Sequence, residues 1–309
     1  MSFTREKTQF LSSDGKTQVN TLWWIPEGAP KAIFQVSHGM AEYIERYSPF
    51  CEYLANNGYL VCGIDYLGHG DTSKEKDYGY LADKDGWVHI TNDVHQLTRI
   101  AKAKYPGLKN LLFGHSMGSF VVRNYARQWS NDIDALIICG TGGKNPMVGM
   151  GLALLKTIKL FKGGHSKSSF ATNLAFGKYL DRNKDAETPF DWLSVNEDNV
   201  AAYLKDPKCG FEFTVSGYID LMSVLKAASD DSAFSSVRKD LPILLIAGSE
   251  DPVGDYGKGV KEVYDRFIQA GAKDAEIKIY DGMRHEILRE TDKETVWNDV
   301  TDWCTRKGI

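Results

Sequence analysis

The sequence predicts an α/β protein: an eight-stranded, mostly parallel sheet with helices on both faces, interrupted by a helical insertion. Three observations carry that prediction. Short apolar runs of buried-strand type recur along the chain, with helical patterns between most of them. The alternation stops after Cys139 and resumes at Ile243. A Gly-x-Ser-x-Gly string, Gly114-His115-Ser116-Met117-Gly118, stands where an apolar run passes into a helical pattern.

Residues 3–11 and 17–25 flank Asp14-Gly15 and read as an antiparallel hairpin. Buried-type strands follow at 32–36, 59–64, 110–113, 135–139, 243–247 and 276–280. Helical spacing marks 47–56, 87–104, 119–129, 257–269 and 293–304. Strands alternating with helices give a parallel sheet covered on both sides. The expected division is a core of residues 1–140 and 241–309, with 141–240 as a helical cap. Within the cap, 152–161 is a lysine-spaced apolar stretch and 163–169 a Gly/Ser-rich loop. Residues 195–204 and 213–229 are helix-like. An insertion after the sixth strand, on the side where the Ser116 turn opens, reads as a lid. The alternative is a helical layer that only stabilises the sheet.

Composition narrows the class. The 309 residues are 42% hydrophobic with net charge -4, ordinary for a globular chain and without a pull toward nucleic acid. Five scattered cysteines with no Cys-x-x-Cys fit a reducing compartment. The polar start and the lack of a membrane-length apolar run predict a soluble, cytoplasmic protein. The Cys/His spacing is wrong for zinc, and no His-Glu-x-x-His is present. Asp65-Tyr66-Leu67-Gly68-His69-Gly70 lacks the continuation of a phosphate loop and reads as structural. Neither metal nor cofactor is expected.

Gly-x-Ser-x-Gly between strand and helix is a nucleophile elbow, presenting the Ser116 hydroxyl above the sheet at a helix N-terminus. A serine hydroxyl needs a base, and the base an orienting acid, in the chain order Ser, Asp or Glu, His. Of seven histidines only His285 follows the last strand, so it is the expected base. Asp251 is the expected acid, at the turn after residues 243–247, with Glu250 and Asp255 as neighbouring alternatives. Asp281 reads as a turn residue. The backbone N–H groups of Met117 and Met40 are the expected oxyanion donors. His38 and His115 read as structural.

These strings carry a resemblance. With His38-Gly39-Met40-Ala41-Glu42, Gly248-Ser249-Glu250-Asp251-Pro252-Val253 and Tyr280-Asp281-Gly282-Met283-Arg284-His285-Glu286, the chain resembles the α/β-hydrolase superfamily. Within it, the monoacylglycerol lipase and lysophospholipase group of serine hydrolases is the most similar. Asp206-Pro207-Lys208-Cys209-Gly210-Phe211 looks like a cap segment of that group, and Leu67 departs from the arginine common in its Asp65–Gly70 loop. The resemblance implies a cap that gates an acyl pocket and hydrolysis of one acyl ester of a single-chain lipid.

Leu152, Ala153, Leu154, Leu155, Ile158, Leu160 and Phe161 suggest an apolar face, with Lys156, Lys159 and Lys162 opposite. Such a helix either rests transiently on an anionic membrane surface or faces the core with solvated lysines. Phe161, Phe170 and Phe176 are candidate walls of the substrate pocket. Two enzymatic rivals share the fold: a short-chain carboxylesterase, and an aminopeptidase using cap acids such as Asp181, Asp185, Glu187, Asp191, Glu197 or Asp198 to hold an amine. A ligand-binding protein on the same fold is the third reading. An ordered Ser, Asp and His argues against it.

Overall fold

Strands that read as unbroken apolar runs lie where both faces are covered. The computed structural model describes residues 2–177 and 179–309. Its strands are β1 (Phe3–Leu11), β2 (Gln18–Pro26), β3 (Ile33–Ser37), β4 (Leu60–Ile64), β5 (Asn110–His115), β6 (Ala135–Cys139), β7 (Ile243–Gly248) and β8 (Ala275–Tyr280). They form one sheet in the order β1-β2-β4-β3-β5-β6-β7-β8. The hairpin pairs Phe3 with Pro26 and Leu11 with Gln18, β2 runs antiparallel to β4, and every later pair is parallel. Each residue of β3 through β7 is buried. Edge strand β1 is mostly exposed and charged at Arg5, Glu6 and Lys7, which blunts edge pairing with other chains.

The α-helices among the described residues are α1 (Ser48–Asn56), α2 (Gly86–Lys104), α3 (Met117–Trp129), α4 (Val148–Lys162), α5 (Ser169–Phe176), α6 (Glu197–Lys205), α7 (Val215–Ala228), α8 (Ser232–Ser235), α9 (Lys258–Gln269) and α10 (Lys293–Arg306). The period-two alternation of the strands divides the core. Leu244 and Ile246 join Phe50, Leu54, Trp297 and Trp303 of α1 and α10 on one face. Ile243 and Leu245 join Val94, Val121, Val260 and Val263 of α2, α3 and α9 on the other, and that cluster continues into the insertion through Phe213, Tyr218 and Val224.

Helices α4–α8 lie between β6 and β7. The short helix α5 follows the Gly/Ser-rich loop, its start capped by Ser168 accepting the Ala171 N–H at 3.4 Å. The apolar residues of α4 do not form one face. Leu152 and Leu155 are buried, whereas Leu154, Leu160 and Phe161 are exposed. Among the buried side chains that join the insertion to the rest are Arg123 and Asp220. Arg123 of α3 donates to Thr141 Oγ1 at 3.2 Å, the Gly142 carbonyl at 3.1 Å and the Ala228 carbonyl at 2.6 Å, so the start of the insertion and the end of α7 meet on one guanidinium. Asp220 of α7 accepts the Trp87 N–H at 3.2 Å, at the start of α2. That helix lacks a local cap because Asp85 is left-handed (φ 54°) and makes no capping bond.

Candidate active site

The elbow forms because α3 packs too closely on β5 and on the end of β3 for side chains. A Cβ on Gly114 would meet Val122 Cγ2 at 2.6 Å, and one on Gly118 would meet the His38 carbonyl oxygen at 2.5 Å. Between them Ser116 has φ 54° and ψ -121°. A left-handed serine costs about 1–3 kcal/mol and persists only where its surroundings impose it. Here the Ser116 N–H donates to the Cys139 carbonyl at 3.0 Å, and its carbonyl accepts the Ser119 N–H at 2.8 Å. The half-buried side chain stands where helix α3 begins.

Asp251 and His285 meet. His285 Nδ1 lies 2.9 Å from Asp251 Oδ2, while Asp251 Oδ1 accepts the Val253 N–H at 2.9 Å. Both side chains are buried, and Glu250 and Asp255 are exposed. A carboxylate can only accept, so His285 Nδ1 carries the proton and Nε2 offers its lone pair. Among the described residues Nε2 has no hydrogen-bond partner. The imidazole lies over Gly140, whose Cβ would fall 3.1 Å from His285 Cε1. Gly140 follows Cys139, the residue whose carbonyl binds the Ser116 amide.

In the turn after β3 the Met40 amide stands between two that are already bonded. Gly39 N–H donates to Glu42 Oε1 at 2.5 Å, and Ala41 N–H to His69 Nε2 at 3.3 Å. No hydrogen bond among the described residues uses the Met40 N–H between them, or the Met117 N–H after Ser116. A Cβ on Gly39 would stand 3.1 Å from Ser116 Cβ, so this turn abuts the elbow. His38 and His69 hold it: His38 Nε2 accepts the Tyr66 N–H at 3.0 Å, and each Nδ1 faces a carbonyl. Burial lowers the pKa of both, against the pull of Asp65 and Glu42 on His38, and takes His69 to about 3. Both are therefore neutral, as acceptor roles for Nε2 require. The Asp65–Gly70 loop thus supports the turn.

Residues 28–292 match the hydrolase family model described as "Serine aminopeptidase, S33". The chain belongs to this family. It is 27% identical to the monoacylglycerol lipase of Mycolicibacterium smegmatis over 98% of each chain. It is also 27% identical to the human monoglyceride lipase, over 92% of this chain and 86% of that one. A solved structure of a highly thermostable carboxyl esterase from Bacillus coagulans, in complex with glycerol, superposes with a TM-score of 0.93 at 30% identity, covering 100% of both chains. The fold is that of the α/β-hydrolases, and the protein is a hydrolase similar to the monoacylglycerol lipases along nearly its whole length.

In this hydrolase the insertion reaches the histidine through Trp192, whose ring centroid is 5.1 Å from that of His285. Phe176 stacks on Trp192 at 6.2 Å and Tyr179 packs edge-on at 4.8 Å, so Phe176 belongs to the aromatic cluster beside the site. Phe161 does not line a pocket wall here: it is 85% exposed, near the end of α4 and beyond the buried contacts of Leu152 and Leu155. Phe170, 52% exposed at the start of α5, is likewise on the outer surface. Trp192 carries no periodic signal in the sequence and escapes notice there. The cap acids do not gather at His285. Asp181, Asp185, Glu187, Glu197 and Asp198 are exposed, and Asp191 accepts the N–H groups of Glu187 and Thr188.

A buried charge network lies behind the histidine. Arg46 donates to Glu286 Oε1 at 2.8 Å and Oε2 at 3.1 Å, and to Glu42 Oε2 at 3.2 Å. Asn199 of α6 donates to Glu286 Oε2 at 2.7 Å, and the Arg46 guanidinium lies over the Tyr203 ring. Burial raises the pKa of Glu286, but the charge of Arg46 outweighs it and holds the carboxyl below its usual value. The base loop is also pinned from the insertion, with Glu286 N–H donating to the Leu193 carbonyl at 2.7 Å and Arg284 to the Asp191 carbonyl at 2.6 Å.

Proposed function

We propose that this protein is a serine carboxylic-ester hydrolase that cleaves the acyl ester of a single-chain lipid, a monoacylglycerol or lysophospholipid. The observation that carries the reading is the Asp251–His285 hydrogen bond, which leaves Nε2 with an available lone pair, on an imidazole whose ring lies 4.6 Å from that of His115, the residue before the strained Ser116. Ser116 attacks the ester carbonyl as His285 takes its proton, and Asp251 stabilises the imidazolium. The oxyanion is received by the Met40 and Met117 amides. His285 then protonates the leaving alcohol, and water activated by the same imidazole releases the fatty acid.

The names of the relatives support an acyl-ester substrate, and the aromatic surroundings of His285 support an apolar chain over a peptide amine. In this reading residues 141–240 form a cap over the site. The exposed Met150, Leu160 and Phe161, with exposed Lys156 and Lys162, support transient contact of the cap with an anionic membrane surface. Five free, buried cysteines fit the cytoplasmic reading. Among the described residues no helix is long and apolar enough to cross a membrane.

The test is fatty acid release from 1-oleoylglycerol, oleoyl lysophosphatidylcholine and a short-chain ester, each beside Ser116→Ala. The expected result is preference for an oleoyl substrate, with kcat reduced on the order of 10⁶-fold by the substitution. Turnover of the short ester alone would overturn the lipid reading.

A further inference from the structure

We propose that His115, the residue inside the elbow, is held as a permanent imidazolium whose charge keeps His285 in its free-base form. This rests on His285 being the base. The hydrogen-bond partners of His115 fix the protons on its two nitrogens. His115 Nε2 lies 3.2 Å from the His285 carbonyl, which can only accept, so Nε2 carries a proton. Nδ1 faces the Tyr47 hydroxyl at 2.9 Å and Glu42 Oε1 at 3.3 Å. The single Tyr47 proton goes to Glu42 Oε1 at 2.7 Å. Glu42 also receives the Gly39 N–H at 2.5 Å and Arg46 at 3.2 Å, so it acts throughout as an accepting carboxylate. Only lone pairs remain facing Nδ1, and that nitrogen needs a proton as well. Two donating nitrogens make an imidazolium.

The surroundings balance the charge. Glu42 faces His115 from the turn after β3, Tyr47 from the segment entering α1, and His285 and Glu286 from the base loop. Arg289 lines the same small cavity as His115, Glu42, Tyr47 and Glu286, and Arg46 bridges the two glutamates. His38, held neutral by its own bonds, is the other nearby imidazole. Two carboxylates therefore stand among Arg46, Arg289 and the His115 ring. Burial disfavours charge on His115, but the hydrogen bond and charge of Glu42 outweigh it and raise its pKa. Glu42 is pushed up by burial, yet its bond to His115 and the charges of His115 and Arg46 hold it well below the carboxylate range.

His115 and His285 have ring centroids 4.6 Å apart. A fixed cation there opposes a second positive charge on His285, whereas Asp251 favours one. The two neighbours act on the imidazole in opposite directions. His115 is in this sense a positioning residue that acts through His285.

The first measurement is ¹⁵N NMR of the imidazoles in the unsubstituted full chain at pH 8. Protons on both His115 nitrogens are expected, with one lost in Glu42→Gln. A singly protonated His115 in the unsubstituted chain overturns the proposal. The second is kcat/KM against pH for His115→Gln, whose amide can still donate to the His285 carbonyl but carries no charge. Its acid limb should move to higher pH by about one unit. A structural role alone would lower the plateau and leave the limb in place, which also overturns the proposal once thermal melting shows that the variant is folded. The NMR readout on the unsubstituted chain needs neither substrate nor a folded variant, so it stands apart from the ester-hydrolase reading, which Ser116→Ala tests separately.

Discussion

The two halves of the insertion are attached in different ways. Residues 191–228 are bonded into the frame of the site. Leu193 binds the base loop, and Ser194 Oγ donates to Glu290 at 2.8 Å. The Tyr203 hydroxyl and the Gly210 N–H both reach the Ala41 carbonyl at 3.0 Å, and Asp220 caps α2. Residues 144–177 rest mainly on the other half: the Val215 N–H donates to Ser166, the Ser216 N–H to Gly164, and Thr172 Oγ1 to Glu212 at 2.7 Å. Their bonds to the core are few, such as Lys144 N–H to Glu262 at 3.1 Å and Lys159 to the Asp83 carbonyl. One half is therefore tied into the frame around His285, while the other is held to the core by fewer bonds and should separate from it at lower free-energy cost.

The largest test of that division falls on Arg46. Arg46→Met would leave Glu42 and Glu286 buried without their shared cation, and should cost about 3–5 kcal/mol in urea unfolding. A loss below about 1 kcal/mol would mean that the network tying Asn199 and Tyr203 to the site contributes little, and the contrast between the halves would fail.

Asp220 sharpens the comparison through pH. Burial raises its carboxyl to about 7, against the opposing backbone hydrogen bond from Trp87. A carboxyl raised on folding binds its proton more tightly in the native state. Its stabilising contribution is therefore complete below about pH 4 and is lost as pH rises through about 7. The change should amount to roughly 4 kcal/mol, and Asp220→Asn should flatten it, since an amide oxygen still accepts from α2 without ionising. An unchanged slope of unfolding free energy against pH would show that α7 is not held through this carboxyl.

Much of this arrangement is legible in the sequence. The strands β3–β7 announce themselves as apolar runs because both faces are covered, and the elbow because close contact of α3 with β5 demands glycine at 114 and its contact with the end of β3 demands glycine at 118. Asp251 and His285 follow from chain order behind the elbow, and the structure places them in contact. The insertion is less readable. Its apolar residues serve two surfaces, so α4 shows helical periodicity without telling which leucines are buried. Phe161 and Trp192 look alike in sequence, yet one faces outward and the other packs on His285. The role of Glu42 is hidden for a different reason. Its partners Tyr47, His115 and Gly39 converge only in three dimensions, although the spacing of three residues from Gly39 is a signal that could have found that one bond.

The smallest stability effect belongs to the loosely attached half. Leu160 and Phe161 are 84% and 85% exposed. Leu160→Ser and Phe161→Ser should therefore change unfolding free energy by no more than about 0.5 kcal/mol, because few contacts are lost. Partitioning onto anionic vesicles should respond much more. Burying either side chain in the acyl boundary contributes about 1.5–3 kcal/mol, so each substitution should weaken vesicle binding by about tenfold or more. Sedimentation with vesicles containing phosphatidylserine, beside urea unfolding of the same variants, reads both quantities. A stability loss above about 1 kcal/mol with unaltered vesicle binding would place these side chains in a packed interface and reverse the contrast between the two halves. Weakened binding at constant stability would instead assign the exposed end of α4 to the membrane surface, leaving the site's geometry to residues 191–228.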